Sequence, residues 1–178
     1  TGNAFYSWQN LYRSLEIFKL IKSKINKDAF IILLIKDSDH NIALEFLNKL
    51  KIKQSSYILK SVNHDKINSY LNAADIGFSI RDNHILNYTT PSGKILEYLA
   101  AGLTVITTSY IGEISEKLKK KDFGIILEDK KSNVELIKKF NLNYTRLKKN
   151  RKKISEWAND EFSINSRISS YVSVLKKI

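Results

Sequence analysis

Residues 74–108 read "ADIGFSIRDNHILNYTTPSGKILEYLAAGLTVITT". "DIGFSI" (Asp75 to Ile80) is a short apolar run of strand length. A long polar loop, Ser79 to Lys94, leaves it and ends at Pro91, the one proline of the chain. Ser92 is then a candidate N-cap for a helix over "SGKILEYLAAG", which closes on Gly102 as a C-cap glycine. "TVITT" (Thr104 to Thr108) follows as a β-branched strand. Strand, helix and strand at this spacing make a βα repeat.

The same alternation extends outward. "FIILLI" (Phe30 to Ile35) is a continuous apolar run, suited to a parallel strand buried on both faces. "SYILK" (Ser56 to Lys60) and "FGIIL" (Phe123 to Leu127) read as further strands. Between them lie amphipathic stretches. Leu11, Leu15, Phe18 and Ile21 form one stripe, and Ile42, Leu44, Phe46 and Leu47 a second, with Asp39 as its expected N-cap. Ile67, Tyr70 and Leu71 form a third, and "GEISEKLKKK" is another helix. The pattern predicts a doubly wound, Rossmann-like α/β fold, with a mostly parallel sheet and helices on both faces. Residues 1–130 are expected to form this domain. Residues 131–178 read as extra C-terminal helices packing on it.

Composition narrows the function. The 178 residues carry 30 Lys/Arg against 18 Asp/Glu, a net charge of +12, and 43% are hydrophobic, as expected of a globular chain. No apolar run reaches the about 18–20 residues that cross a bilayer. Cysteine is absent, which excludes disulfides, thiolate nucleophiles and zinc–thiolate sites. His40, His64 and His84 are too scattered to suggest a metal cluster. The chain opens on "TGNAFYSW", with no methionine and no basic-then-apolar leader. "TGN" resembles the loop after a strand, so a piece of a longer, cytoplasmic protein is expected. Between Lys117 and Lys153 there are 14 Lys/Arg against 4 Asp/Glu, hence +10. That block reads either as a solvated helix surface or as a patch for an anionic partner, whether phosphate, membrane surface or nucleic acid.

In doubly wound sheets ligands bind at the carboxyl ends of the strands. Gly2 and Asn3 follow a presumed strand end, where glycine allows close backbone approach to a phosphate or simply makes a turn. Val62 and Asn63 close the loop before the third helix; Asn63 or His64 can cap that helix, and the backbone can read a base edge. At Ser92 the amides of Gly93, Lys94 and Ile95 are expected at a positive helix end, with the Lys94 charge added. Glu97 lies one turn on, on the Lys94 face. It can accept from a diol, or pair with Lys94 at the surface. "DSD" (Asp37 to Asp39) has Asp-x-Asp spacing but reads as a helix cap after a strand.

These residues carry a resemblance. Ala74-Asp75-Ile76, then Pro91, Lys94, Glu97, Ala100-Ala101-Gly102 and Val105-Ile106, resemble the C-terminal, donor-binding domain of GT-B fold glycosyltransferases, group 1 or family 4. "GNAFYSWQNL" resembles that domain's first loop, and the likeness spans roughly residues 1–130. It implies a diphosphate cradle of Gly2, Asn3, Ser92, Gly93, Lys94 and Ile95. It further implies Glu97 on the ribose, and Val62 and Asn63 at the base. Arg81, Thr89 and Thr90 are then candidates for the donor sugar or phosphate. The co-substrate is a nucleotide-diphosphate sugar such as a UDP- or GDP-hexose, with no metal and no other cofactor expected.

Three departures from the family pattern stand out. Thr89 stands where a second carboxylate precedes Glu97, Gln9 and Arg13 where Arg and Lys are usual, and Thr104 where proline is usual. The resemblance places catalytic and acceptor residues in an N-terminal domain outside these residues, so the expectation is a donor-binding half, inactive alone, of a retaining enzyme acting on a glycan or lipid-linked acceptor. An anionic membrane surface is a further candidate partner. The rival reading is a basic Rossmann-like domain binding nucleic acid or another anionic partner without catalysis; the resemblance argues against nucleic acid.

Overall fold

The computed structural model of the chain describes residues 9–89, 92–128, 137–140 and 150–176. Helix α1 (Leu11–Lys24) begins at Asn10, whose left-handed backbone turns the chain and whose Oδ1 accepts from the Arg13 amide at 3.1 Å. Lys22 and Lys24 fall in its last turn, where the carbonyl dipole favours cations. Lys22 Nζ donates to the carbonyls of Lys27 and Ala29, 2.7 Å each, and so ties the turn into β1 (Ile31–Leu34). The chain then runs through α2 (His40–Lys49), β2 (Tyr57–Lys60), α3 (His64–Ala73), β3 (Ile76–Ser79), α4 (Ile85–Thr89) and α5 (Gly93–Ala100). After these come β4 (Thr104–Thr108), α6 (Glu113–Lys121), β5 (Gly124–Leu127), α7 (Arg151–Phe162) and α8 (Ile164–Leu175). Residues 137–140 are also helical.

Among the described residues every strand pair is parallel. β1 pairs with β2, from Ile31 opposite Tyr57 to Leu34 opposite Lys60. β3, β4 and β5 form a second sheet in that order. The fold class is therefore the expected one, with helices supplying the crossovers that parallel strands require. Neighbouring side chains on β4 show the two-faced packing. Val105 packs with Ile95, Leu99, Leu118 and Ile154 under α5, α6 and α7. Ile106 packs with Ile17, Ile21, Ile125 and Phe140 on the other face. A third cluster joins Leu15 and Phe18 of α1 to β1 and α2, so α1 lies across both sheets.

Some local expectations change. Ala43 and Leu47, not Leu44, are the buried residues of α2, and Leu44 is exposed. Asp39 stands at the head of α2, but its carboxylate accepts from Ser38 Oγ at 3.0 Å instead of capping the helix. The segment Asp37–Asp39 is one turn of 3-10 helix. Asn63 likewise makes no side-chain cap. The loop after β3 contains a helix, α4, that its polar sequence did not suggest. Helix α5 ends as foreseen: Gly102 has φ 76°, and the amides of Gly102 and Leu103 bond the carbonyls of Leu99 and Tyr98.

Helix α7 docks on this end. The Arg151 guanidinium donates to the carbonyls of Ala74 (2.8 Å), Asn72 (3.0 Å) and Leu71 (3.3 Å), which close α3. Ser155 Oγ donates to the Ala100 carbonyl. Among the described residues no helix is long and apolar enough to cross a membrane.

Candidate functional site

The carboxyl ends of β3 and β4 face the starts of α1 and α5. Their last residues are hydroxyls where the preceding positions are apolar. Thr107 Oγ1 donates to the Ser79 carbonyl at 2.7 Å, and Thr108 Oγ1 donates to the Arg81 carbonyl at 2.8 Å while accepting the Arg81 amide at 3.2 Å. Thr107, Thr108 and Ser79 are all buried. They hold the chain rigidly where it leaves β3, which sets the position of Arg81.

Above this floor stand two cations. Lys94 is the second residue of α5, and its Nζ donates to Gln9 Oε1, 85 residues away. Burial is the main cause that lowers its pKa to about 8; the nearby Arg81 charge lowers it further, and Glu97 partly opposes both. Burial also lowers the pKa of Arg81. Arg81 Nη1 lies 3.4 Å from Oδ1 of Asn87, a buried residue whose Nδ2 bonds the Asp82 carbonyl at 2.8 Å. Asn10 Nδ2 reaches Asp82 Oδ1, so the start of α1 is fastened to the same loop. Two half-desolvated positive charges stand close together with one carboxylate nearby, an arrangement that favours an added anion.

The head of α5 adds to this field. Ser92 was expected to cap it, but the Ser92 side chain is buried 3.4 Å from Ser79 Oγ and makes no cap. The Ile95 amide is already bonded to the Ser92 carbonyl at 3.0 Å, and Ile95 is fully buried. This leaves the amides of Gly93 and Lys94, at the first two helical positions, as the groups with no intrahelical acceptor. A Cβ added to Gly93 would meet nothing within 4 Å, so that end opens to solvent.

Glu97, one turn along, is partly exposed, with its Oε1 3.9 Å from His64 Nε2. His64 opens α3 directly after Val62 and Asn63, so the β2–α3 loop and α5 meet here. Lys94, Arg81, Glu97 and the Val62–Asn63 loop are thus gathered along one strand-end rim. Thr89 ends α4, while Gly2, Asn3, Thr90 and Pro91 lie outside the described residues. Gln9 and His64 join the site through contacts distant in sequence, and Asn87 through contacts within the loop after β3. The hydroxyls closing "GFS" and "TVITT" were the one local signal of its floor.

No family model and no curated protein matches the sequence. Among solved structures the chain is similar to WaaG, a glycosyltransferase involved in lipopolysaccharide biosynthesis, with a TM-score of 0.67 and 15% identity. That match covers 95% of this chain and 45% of WaaG, so the chain spans less than half of that protein. It is also similar to the C-terminal domain of a glycosyl transferase group 1 family protein (LpcC) from Francisella tularensis. There the TM-score is 0.68 and the identity 15%, over 92% of this chain and 84% of that one. The chain therefore has the fold of the C-terminal domain of a GT-B, group 1 glycosyltransferase.

Proposed function

We propose that this domain binds the nucleotide-diphosphate moiety of a sugar donor and forms the donor half of a glycosyltransferase. The observation that carries the reading is Lys94, half-buried beside Arg81 at an uncapped helix start. A diphosphate seated there meets two cations and two amides. Glu97 lies about a turn away, where a ribose diol would fall, and the Val62–Asn63 loop lies beyond it for the base. In glycosyl transfer the nucleoside diphosphate departs with growing negative charge. Cations and amides fixed in place stabilise that charge with no reorganisation at the moment of bond breaking. Retention of configuration, a hexose donor and a glycan or lipid-linked acceptor extend this reading by resemblance, and the acceptor site is assigned to a separate domain.

Among the described residues, two cations of the basic run are engaged within the fold. Lys117 is held by Glu113 (2.7 Å) and Glu161 (2.6 Å), and Arg151 by backbone carbonyls. Titration calorimetry of the complete protein with UDP and GDP tests the proposal. Binding of one nucleotide, weakened by Lys94→Ala and Glu97→Ala, is expected. Binding of neither, or equal affinity in both variants, overturns it.

A further inference from the structure

Helix α4 is built inside out. Ile85, Leu86 and Tyr88 are exposed, while Asn87 between them is only 6% exposed. A helix of five residues has no stability of its own, so its neighbours hold it. Tyr88 meets Tyr110 edge-on. A Cβ added at Gly112 would fall 2.8 Å from the Tyr88 carbonyl oxygen, so the loop between β4 and α6 lies directly against α4. From within, Asn87 Nδ2 donates to the Asp82 carbonyl at 2.8 Å, and Asn87 Oδ1 faces Arg81 Nη1 at 3.4 Å.

These two contacts fix the amide. Flipped, it would set oxygen against carbonyl and N–H against guanidinium. A buried polar side chain is costly unless it is bonded, so position 87 calls for a short side chain with one donor and one acceptor. Aspartate could accept from Arg81, but it would turn a negative charge on the Asp82 carbonyl.

Arg81 needs such a hold. Thr108 pins its main chain through both amide and carbonyl. Its guanidinium, among the described residues, makes no ion pair and no hydrogen bond besides that to Asn87. Arg81 is half-buried and lines one cavity with Lys94 and Tyr98 of α5. Two like charges placed together repel, which favours a guanidinium turned away toward water.

We propose that Asn87 is a positioning residue of the donor site: its neutral amide holds the Arg81 guanidinium beside Lys94 and leaves the full charge for the ligand's diphosphate. The diphosphate rests on the donor reading; the hold on Arg81 does not. A carboxylate partner would fasten Arg81 more firmly but would compensate the charge that an anion must meet.

The complete protein with Asn87→Ala, with Arg81→Met and with both tests this. Calorimetry with pyrophosphate at pH 6.5 reads anion affinity, and NMR titration of the Lys94 ammonium without ligand reads the position of Arg81. The Arg81 charge lowers the Lys94 pKa, so releasing the guanidinium raises it. Asn87→Ala is expected to weaken pyrophosphate at least about fivefold and to raise the Lys94 pKa. The double variant should match Arg81→Met in both readouts, because Asn87 acts only through Arg81. Wild-type affinity in Asn87→Ala, an unshifted Lys94 titration, or losses that multiply in the double variant overturn the proposal. Asn87→Asp has nearly the same shape and serves if the alanine variant fails to fold. It should weaken pyrophosphate at least about tenfold, and unchanged affinity again overturns the proposal. Should the wild type bind neither UDP, GDP nor pyrophosphate, the donor reading falls, and the Lys94 titration alone decides the hold on Arg81.

Discussion

Lys94 concentrates the physics of the site. Burial and Arg81 hold its pKa near 8, so in the free protein at pH 8 about half of the molecules carry the charge. A bound diphosphate restores the preference for the charged form. Calorimetry in buffers of differing ionisation enthalpy should therefore find uptake of about half a proton at pH 8, and close to none at pH 6.5. Affinity should fall as pH rises through 8. Lys94→Ala should cost about 10- to 100-fold in nucleotide affinity, the worth of one charge-assisted hydrogen bond, and abolish the proton uptake. The stability consequence has the opposite sign. Because the folded pKa is depressed, the unfolded chain binds more protons between about 8 and 10.5, and the ligand-free protein gains stability as pH rises through that window. Urea unfolding compared with Lys94→Met isolates this contribution. Glu97 raises the Lys94 pKa. Glu97→Ala should thus move the pH midpoint of binding downward. It should weaken UDP or GDP while leaving inorganic pyrophosphate, which has no ribose, within about threefold of wild type at pH 6.5.

Helix α5 shows how two glycines at opposite ends of one element differ. Gly93 is at the first helical position, and an added Cβ there meets open space. Gly93→Ala should change stability by no more than about 0.5–1 kcal/mol, with helix propensity favouring alanine. Gly102 sits in the left-handed region at φ 76°, and a Cβ would fall 2.5 Å from both the Arg151 carbonyl oxygen and its Cγ. Gly102→Ala should cost at least about 2 kcal/mol in urea unfolding, from backbone strain plus displacement of α7. The C-cap glycine was legible in "LAAGL", because that turn is a local event. The opposite end was not: Ser92 has the right chemistry to cap, but the strand beside it offers Ser79, and the side chain turns inward. Helix α4 escaped the sequence for a similar reason. Its residues Ile85, Leu86 and Tyr88 are exposed, so no amphipathic pattern marks it, and Tyr88 stacks edge-on against Tyr110 at a 6.0 Å centroid distance.

At the scale of the molecule, α7 is the clasp. Its Arg151 satisfies three carbonyls at the end of α3, and Ile154 and Ala158 enter the core under α5. Arg151→Met keeps much of the aliphatic stem but removes the donors. Leaving the Ala74 and Asn72 carbonyls without this donor, while the Leu71 carbonyl keeps the Ala74 amide, should cost about 1–3 kcal/mol, read as a lower urea midpoint at unchanged slope. Trp157 extends the clasp by packing between Phe123 and Phe162, at 5.3 Å from each ring. The same tertiary contacts decide what the basic segment can offer. Lys117 belongs to the +10 run by sequence, yet in the fold two glutamates, one of them 44 residues away, surround it.

The sequence by itself determined the alternation of strands and helices, the parallel sheet, and the Lys94–Glu97 helix at a strand end. Each of these follows from hydrophobic period, turn chemistry and short spacing, which are properties of neighbouring residues. The tertiary structure decided which polar groups stand together. Gln9 on Lys94, Asn10 on Asp82 and His64 near Glu97 unite loops from several βα units. It also decided that Lys94 is buried enough to lose its charge near pH 8. Desolvation depends on the whole packed chain, so no local pattern in the sequence encodes it.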